Sequence, residues 1–154
     1  MKSITEIIFC LCTLSLAAPV FAVPVNVSVG TGPAVIRRLA DFTAISVPEK
    51  PLPKVSAAAA DLGYHLEKIR GTALPVEPGP GDGRTPRFFV GADSCSEGRT
   101  AAQSLAREAF VIRSIPGGVL LAGNDALDPA GTMHAISYFL ETYCGVRWLW
   151  PGAS

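Results

Sequence analysis

Apolar residues recur along this chain with two different periods, and the change of period predicts the elements. Residues 23–29, VPVNVSV, alternate, so Val25, Val27 and Val29 share one face of a predicted strand. Residues 42–47, FTAISV, alternate again, with Phe42, Ala44 and Ser46 on one side and Thr43, Ile45 and Val47 on the other. Pro48, Pro51 and Pro53 then forbid a helix and mark a turn. Over 54–70 the period becomes helical. Val55, Ala59, Leu62, Leu66 and Ile69 fall on one stripe, and Lys54, Asp61, Glu67 and Lys68 lie off it. Gly63 costs this helix about 1 kcal/mol against alanine and points to close packing or a weak spot. Gly71 supplies the stop.

Residues 73–77 read as extended, and 78–86, PGPGDGRTP, as a loop. RFFVG at 87–91 is a short apolar run of buried-strand type. A turn over 92–97 leads to a short predicted helix at 99–107 with Ala102 and Leu105 inward. Strands at 109–113 and 119–122 flank Pro116-Gly117-Gly118, which predicts a β-hairpin. Asp128-Pro129 pairs an N-cap residue with proline at the first helical position. The helix that follows, 129–144, carries a stripe of Met133, Ile136, Leu140 and Tyr143, with Phe139 beside it, and Gly145 ends it. Residues 146–150 predict a last strand on which Val146, Trp148 and Trp150 share a face. Helices and strands are interspersed throughout. The expected fold is therefore α/β, an α+β sandwich in which a mixed β-sheet packs against two main helices and one short one.

Composition narrows the class. With 154 residues the chain suits one ordinary domain, and 49% apolar against 17% charged residues excludes a disordered polymer. Lys+Arg and Asp+Glu are both 13, so no basic excess argues for a nucleic-acid partner. The N-terminal stretch 1–22 reads as a signal peptide: Lys2, then the apolar run 7–18, then Val20 and Ala22 before a cut. The run is too short for a membrane span of about 20 residues. The expectation is a mature chain beginning at Val23, secreted or periplasmic, with no membrane association after cleavage. Export leaves Cys95 and Cys144 as the two remaining thiols. They can pair as one disulfide or stay as two semi-buried thiols, and geometry decides.

Candidate chemistry is sparse. His65 and His134 stand on different predicted helices and no HExxH run occurs, so neither a metal nor any other cofactor is expected. No GxSxG elbow is present, and Gly30-Thr31-Gly32 is only a fragment of a phosphate-binding loop. Glycoside hydrolysis needs two carboxylates about 5–10 Å apart across a sugar. The acids Asp41, Glu67, Asp93, Glu108, Asp125, Asp128 and Glu141 are scattered, and none is singled out, so no catalytic residue is assigned. Trp148 and Trp150, with Arg147 just before them, form the one candidate contact surface. Two indoles on one strand face serve either a domain interface or a stacked sugar ring.

Taken in order, the segments LEKIRGTALPV, FFVGADS, FVIRSIPGGVLLAG and GTMHAISYFLETYCGVRWLWPG resemble the N-terminal accessory domain of alpha-glucuronidases and the related second domain of beta-hexosaminidases. The resemblance covers 23–152. Its most specific part is FLE-x-x-x-GVRW-x-x-PG. It implies a non-catalytic domain placed before a (β/α)-barrel that holds the active site of a secreted glycoside hydrolase acting in xylan or other polysaccharide breakdown. The family's catalytic acids lie in that barrel, and no position here matches them. The chain stops at Ser154, where the barrel would be expected, so the partner implied is the missing C-terminal catalytic domain, with polysaccharide as a further one. The alternative is a free-standing secreted module that binds carbohydrate or protein.

Overall fold

The computed structural model describes residues 38–148. The predicted signal peptide, the predicted strand at 23–29 and Trp150 lie outside the described residues. Strands β1 (Ala44–Val47), β2 (Val76–Pro78), β3 (Arg87–Val90), β4 (Phe110–Ile115) and β5 (Gly118–Gly123) form one sheet in the order β2-β1-β3-β5-β4. Four strands run parallel, and β4 is antiparallel to β5 at the edge. Helices α1 (Pro53–Arg70) and α3 (Ala130–Tyr143) pack on one face, and the short α2 (Ser96–Ala102) packs on the other. This is the expected mixed sheet with two main helices and one short one.

The parallel interior explains the apolar runs. β1 is flanked on both sides, so all four of its residues are buried, and β3 hides Phe88, Phe89 and Val90. Ile45, Val47, Phe88, Val90 and Leu121 face the long helices; Phe89, Leu120 and Ala122 face α2. Phe42 corrects the predicted alternation. It precedes the strand and stacks on Phe88 at 4.1 Å between ring centroids, joining Ile45 and Val47 instead of Ala44 and Ser46.

The helices follow their stripes with shifts. In α1, Val55, Ala58, Ala59, Leu62 and Leu66 are buried, but Ile69, in the last turn before Gly71, is exposed. Gly63 faces β1, but a methyl group there would rest 3.5 Å from Ile45, an ordinary contact, so the packing does not require glycine. In α3 the buried residues are Gly131, Thr132, Ala135, Ile136 and Leu140. Met133 and Tyr143, predicted inward, are 42% and 67% exposed. The inward stripe is rotated because α3 sits so close to β5: a Cβ on Gly123 would be 2.6 Å from the Gly131 backbone. Small residues therefore face the sheet. Gly71 and Gly145 adopt φ of 76° and 74°, and Val146 N–H turns back to the Leu140 carbonyl, so both predicted stops hold.

Two further expectations change. The short helix begins three residues early and ends at Ala102, because the Cys95 sulfur accepts the Gly98 N–H and caps its start; Leu105 lies beyond it. Residues 145–148 form no strand. Val146 tucks beside the α1–α3 core while Arg147 donates to the Glu141 carbonyl at 3.1 Å, so this stretch caps the end of α3 and joins no sheet. The hairpin forms as expected, turning at Pro116-Gly117.

Candidate functional site

The carboxyl ends of β1, β3 and β5 open onto a cleft of about 370 Å³. Its first wall comes from the entry to α1: Pro48, Lys50, Leu52 and Val55. The second comes from the turn after β3 and from α2, with Asp93, Arg99 and Gln103. The loop after β5 closes the third side with Asn124 and Asp125. The position follows from topology. The crossover leaving β1 carries α1 over one face and ends at β2 on one side; the connection leaving β3 carries α2 over the other face and ends beyond β5. Adjacent parallel strands whose connections diverge leave a crevice at their carboxyl ends, where ligands of open α/β sheets bind.

Asp125 holds the rim together. The Ala92 N–H donates to Asp125 Oδ2 at 2.7 Å, and the Thr132 hydroxyl donates to Oδ1 at 2.6 Å. Thr132 Oγ1 in turn accepts the Gly123 N–H at 2.9 Å. One carboxylate thus ties the end of β3, the end of β5 and the first turn of α3. Burial pushes its pKa up, and the bonds from Thr132 and Ala92 oppose that only in part. Gly91, at φ 91°, is required here: a Cβ would lie 2.9 Å from Val55 and 3.1 Å from Asp125 Oδ2. Asp93 forms a solvent-exposed pair with Arg99 at 2.9 Å. Asn124 donates to the Leu105 carbonyl at 2.9 Å, which anchors the chain beyond α2.

The predicted contact residues lie elsewhere. Trp148 is 47% exposed and sets its ring edge-on to His65, centroids 5.1 Å apart, on the outer side of α1. Tyr64 stands edge-on to His65, with the Lys68 ammonium 5.3 Å from the Tyr64 ring centroid. Arg147 is committed to the α3 terminus. Cys95 and Cys144 are free thiols. Cys95 belongs to the cluster under α2 and Cys144 packs against the opposite core, so the sheet stands between them. Burial raises both thiol pKa values, which disfavours thiolate chemistry.

Asp93 and Asp125 were two of the 13 acids in the sequence, and nothing there joined them. The available signal was positional: each follows directly on an apolar run, in FFVGAD and VLLAGND, so both stand where strands end. Thr132, the partner that commits Asp125, carried no signal. Among the described residues no group of three metal-ligating side chains occurs. Compared with models of protein families and with curated proteins, the chain matches none.

Proposed function

We propose that this chain is a non-catalytic accessory domain of a secreted, polysaccharide-degrading glycoside hydrolase of alpha-glucuronidase type. The observation that supports this reading best is how its acids are spent. A general acid or a nucleophile must present a carboxyl oxygen to the scissile bond. Asp125, the buried acid of the cleft, gives both oxygens to Ala92 and Thr132. Asp93 is bridged to Arg99, and Glu77 is bridged to Arg87 at 2.6 Å. Asp128 accepts the Ala130 N–H at the start of α3. Asp125 and Asp128 thus hold the fold, and Glu77 and Asp93 each face a guanidinium. The resemblance of FLE-x-x-x-GVRW-x-x-PG adds the family, and the exposed aromatic group around Trp148 adds a surface suited to a neighbouring domain.

The test is an assay of the exported chain on aryl glycosides and glucuronoxylan fragments. No hydrolysis above buffer is expected. Turnover abolished by Asp125→Asn or Asp93→Asn would overturn the reading. Sequencing the gene past the Ser154 codon separates the alternative: an in-frame barrel supports the accessory domain, and an immediate stop supports a free-standing binding module. That second reading draws on Trp148, whose indole is open enough to stack on a sugar ring.

A further inference from the structure

The cleft at the carboxyl edge of β1, β3 and β5 is not used by the reading above, yet three of its properties select a ligand. The first is charge. Lys50 and Arg99 oppose Asp93 and Asp125, so the formal charges of the lining cancel. An anion would face two carboxylates, and a cation would face an ammonium and a guanidinium. A zwitterion would have to bring its ammonium to Asp93, against the neighbouring Arg99 guanidinium, because both Asp125 oxygens already accept hydrogen bonds. The second is hydrogen-bonding pattern. The Asp93–Arg99 pair joins through Arg99 Nε and one Asp93 oxygen. The outer guanidinium N–H groups and the second carboxylate oxygen remain as a donor set beside an acceptor. A vicinal diol matches that arrangement, since each hydroxyl both donates and accepts. The third is shape. The wall opposite α2 exposes Leu52, with Pro48 and Val55 buried behind it, an apolar spot for the C–H face of a ring, and the volume falls within the roughly 300–1,000 Å³ of small-ligand pockets.

We propose that this cleft binds a neutral pyranose, its vicinal hydroxyls on the Asp93–Arg99 pair and its apolar face on Leu52. Asp125 fixes the turn that carries Asp93 against the ends of β3 and β5, so that part of the site is preformed. This proposal stands apart from the accessory-domain reading, because a domain without turnover can bind sugar or not.

The test is a titration of the isotope-labelled full chain, followed by backbone amide NMR. Methyl β-xylopyranoside and methyl β-glucopyranoside are the probes; glucuronate and glycine are the charged and zwitterionic controls. Saturable shifts at the Ala92, Gln103 and Asn124 amides are expected with a neutral pyranoside. Asp93→Ala and Arg99→Ala should each weaken binding by about tenfold or more. Both side chains are about two-thirds exposed, so the rest of the spectrum should stay unchanged and report an intact fold. Three results would overturn the proposal: no saturable shift with either pyranoside, saturation unchanged in both variants, or tighter binding of glucuronate or glycine. Glycosidase activity in the same sample would count against the accessory-domain reading alone.

Discussion

The two faces of the sheet are closed by different means. On one, α1 and α3, of 18 and 14 residues, lay Val55, Leu62, Leu66, Ile136 and Leu140 over Ile45, Phe88 and Leu121. On the other, α2 has 7 residues and brings mainly small side chains to Phe89, Leu120 and Ala122. The loop between β2 and β3 lies over the remainder of that face. It is held where Arg87, nearly buried, reaches Glu77 at 2.6 Å and Ser46 at 3.4 Å, with Gly81 against the guanidinium. Hydrophobic stabilisation scales with apolar area removed from water. The long-helix face therefore carries most of the stability. The thinly covered face leaves room at the strand ends, and the polar wall of the cleft is built there.

The largest effects should separate the faces directly. Leu66→Ala removes a fully buried side chain between α1 and the sheet and should cost about 2–5 kcal/mol. Cys95→Ala on the α2 face removes a cap and a modest contact, and should cost about 0.5–2 kcal/mol. Urea unfolding of both variants measures the difference. Equal losses would mean the short helix contributes as much as the long pair.

Asp125 joins the two sides. Asp125→Ala leaves the Ala92 N–H and the Thr132 hydroxyl without their acceptor, and should cost about 1–3 kcal/mol. Its pH dependence has a definite sign. The folded-state pKa is raised above 3.8, so between the two values the native state binds more protons than the unfolded state. Stability from this group therefore falls as pH rises through that window. Asp128 behaves oppositely: the Ala130 N–H lowers its pKa, so its contribution is lost as pH falls. Unfolding free energy of wild type minus Asp125→Asn, measured from about pH 4 to pH 7, should decrease with pH. A flat or rising difference would show that Asp125 is not desolvated.

How much of this was legible in the sequence depended on the size of the residues involved. α1, β3, the hairpin and both glycine stops were readable because each rests on local chemistry: periodicity, turn residues and backbone freedom. Bulk is a poor guide to the inward side of α3. Close approach at Gly123 and Gly131 selects Thr132 and Ala135 over Met133 and Tyr143, and which helix comes close is a tertiary fact. The strand expected at 146–150 drew on alternation alone, and alternation does not show whether a partner strand is within reach. The cleft was invisible for the same reason. Its walls come from three connections that meet only once the strand order is known.

A smaller effect is expected from the strap over the α2 face. Glu77→Gln removes the carboxylate facing Arg87 while keeping an acceptor. Glu77 is 44% exposed, so solvent weakens the pair, and the loss should stay below about 1 kcal/mol and shrink in high salt. Its clearer readout is local: amide exchange should accelerate across residues 79–86 and remain unchanged in α1 and α3. Uniform acceleration would mean that the loop and the long-helix face unfold together.

The smallest effect tests the rotation of α3. Met133→Ser would open a cavity if bulk determined the inward stripe, costing about 2–5 kcal/mol as large-to-small core changes do. In the structure Met133 is 42% exposed and Thr132, one residue earlier, is fully buried with its hydroxyl between Gly123 and Asp125. Met133→Ser should therefore change unfolding free energy by no more than about 0.5 kcal/mol. Thr132→Val keeps the shape of the side chain and removes the hydroxyl. It should cost more, because it strands the Gly123 N–H and takes a donor from Asp125. The order of the two losses decides the matter. If Met133→Ser proves the more damaging, α3 faces the sheet with its bulky side, and the close approach at Gly123 and Gly131 that builds the Asp125 rim does not exist.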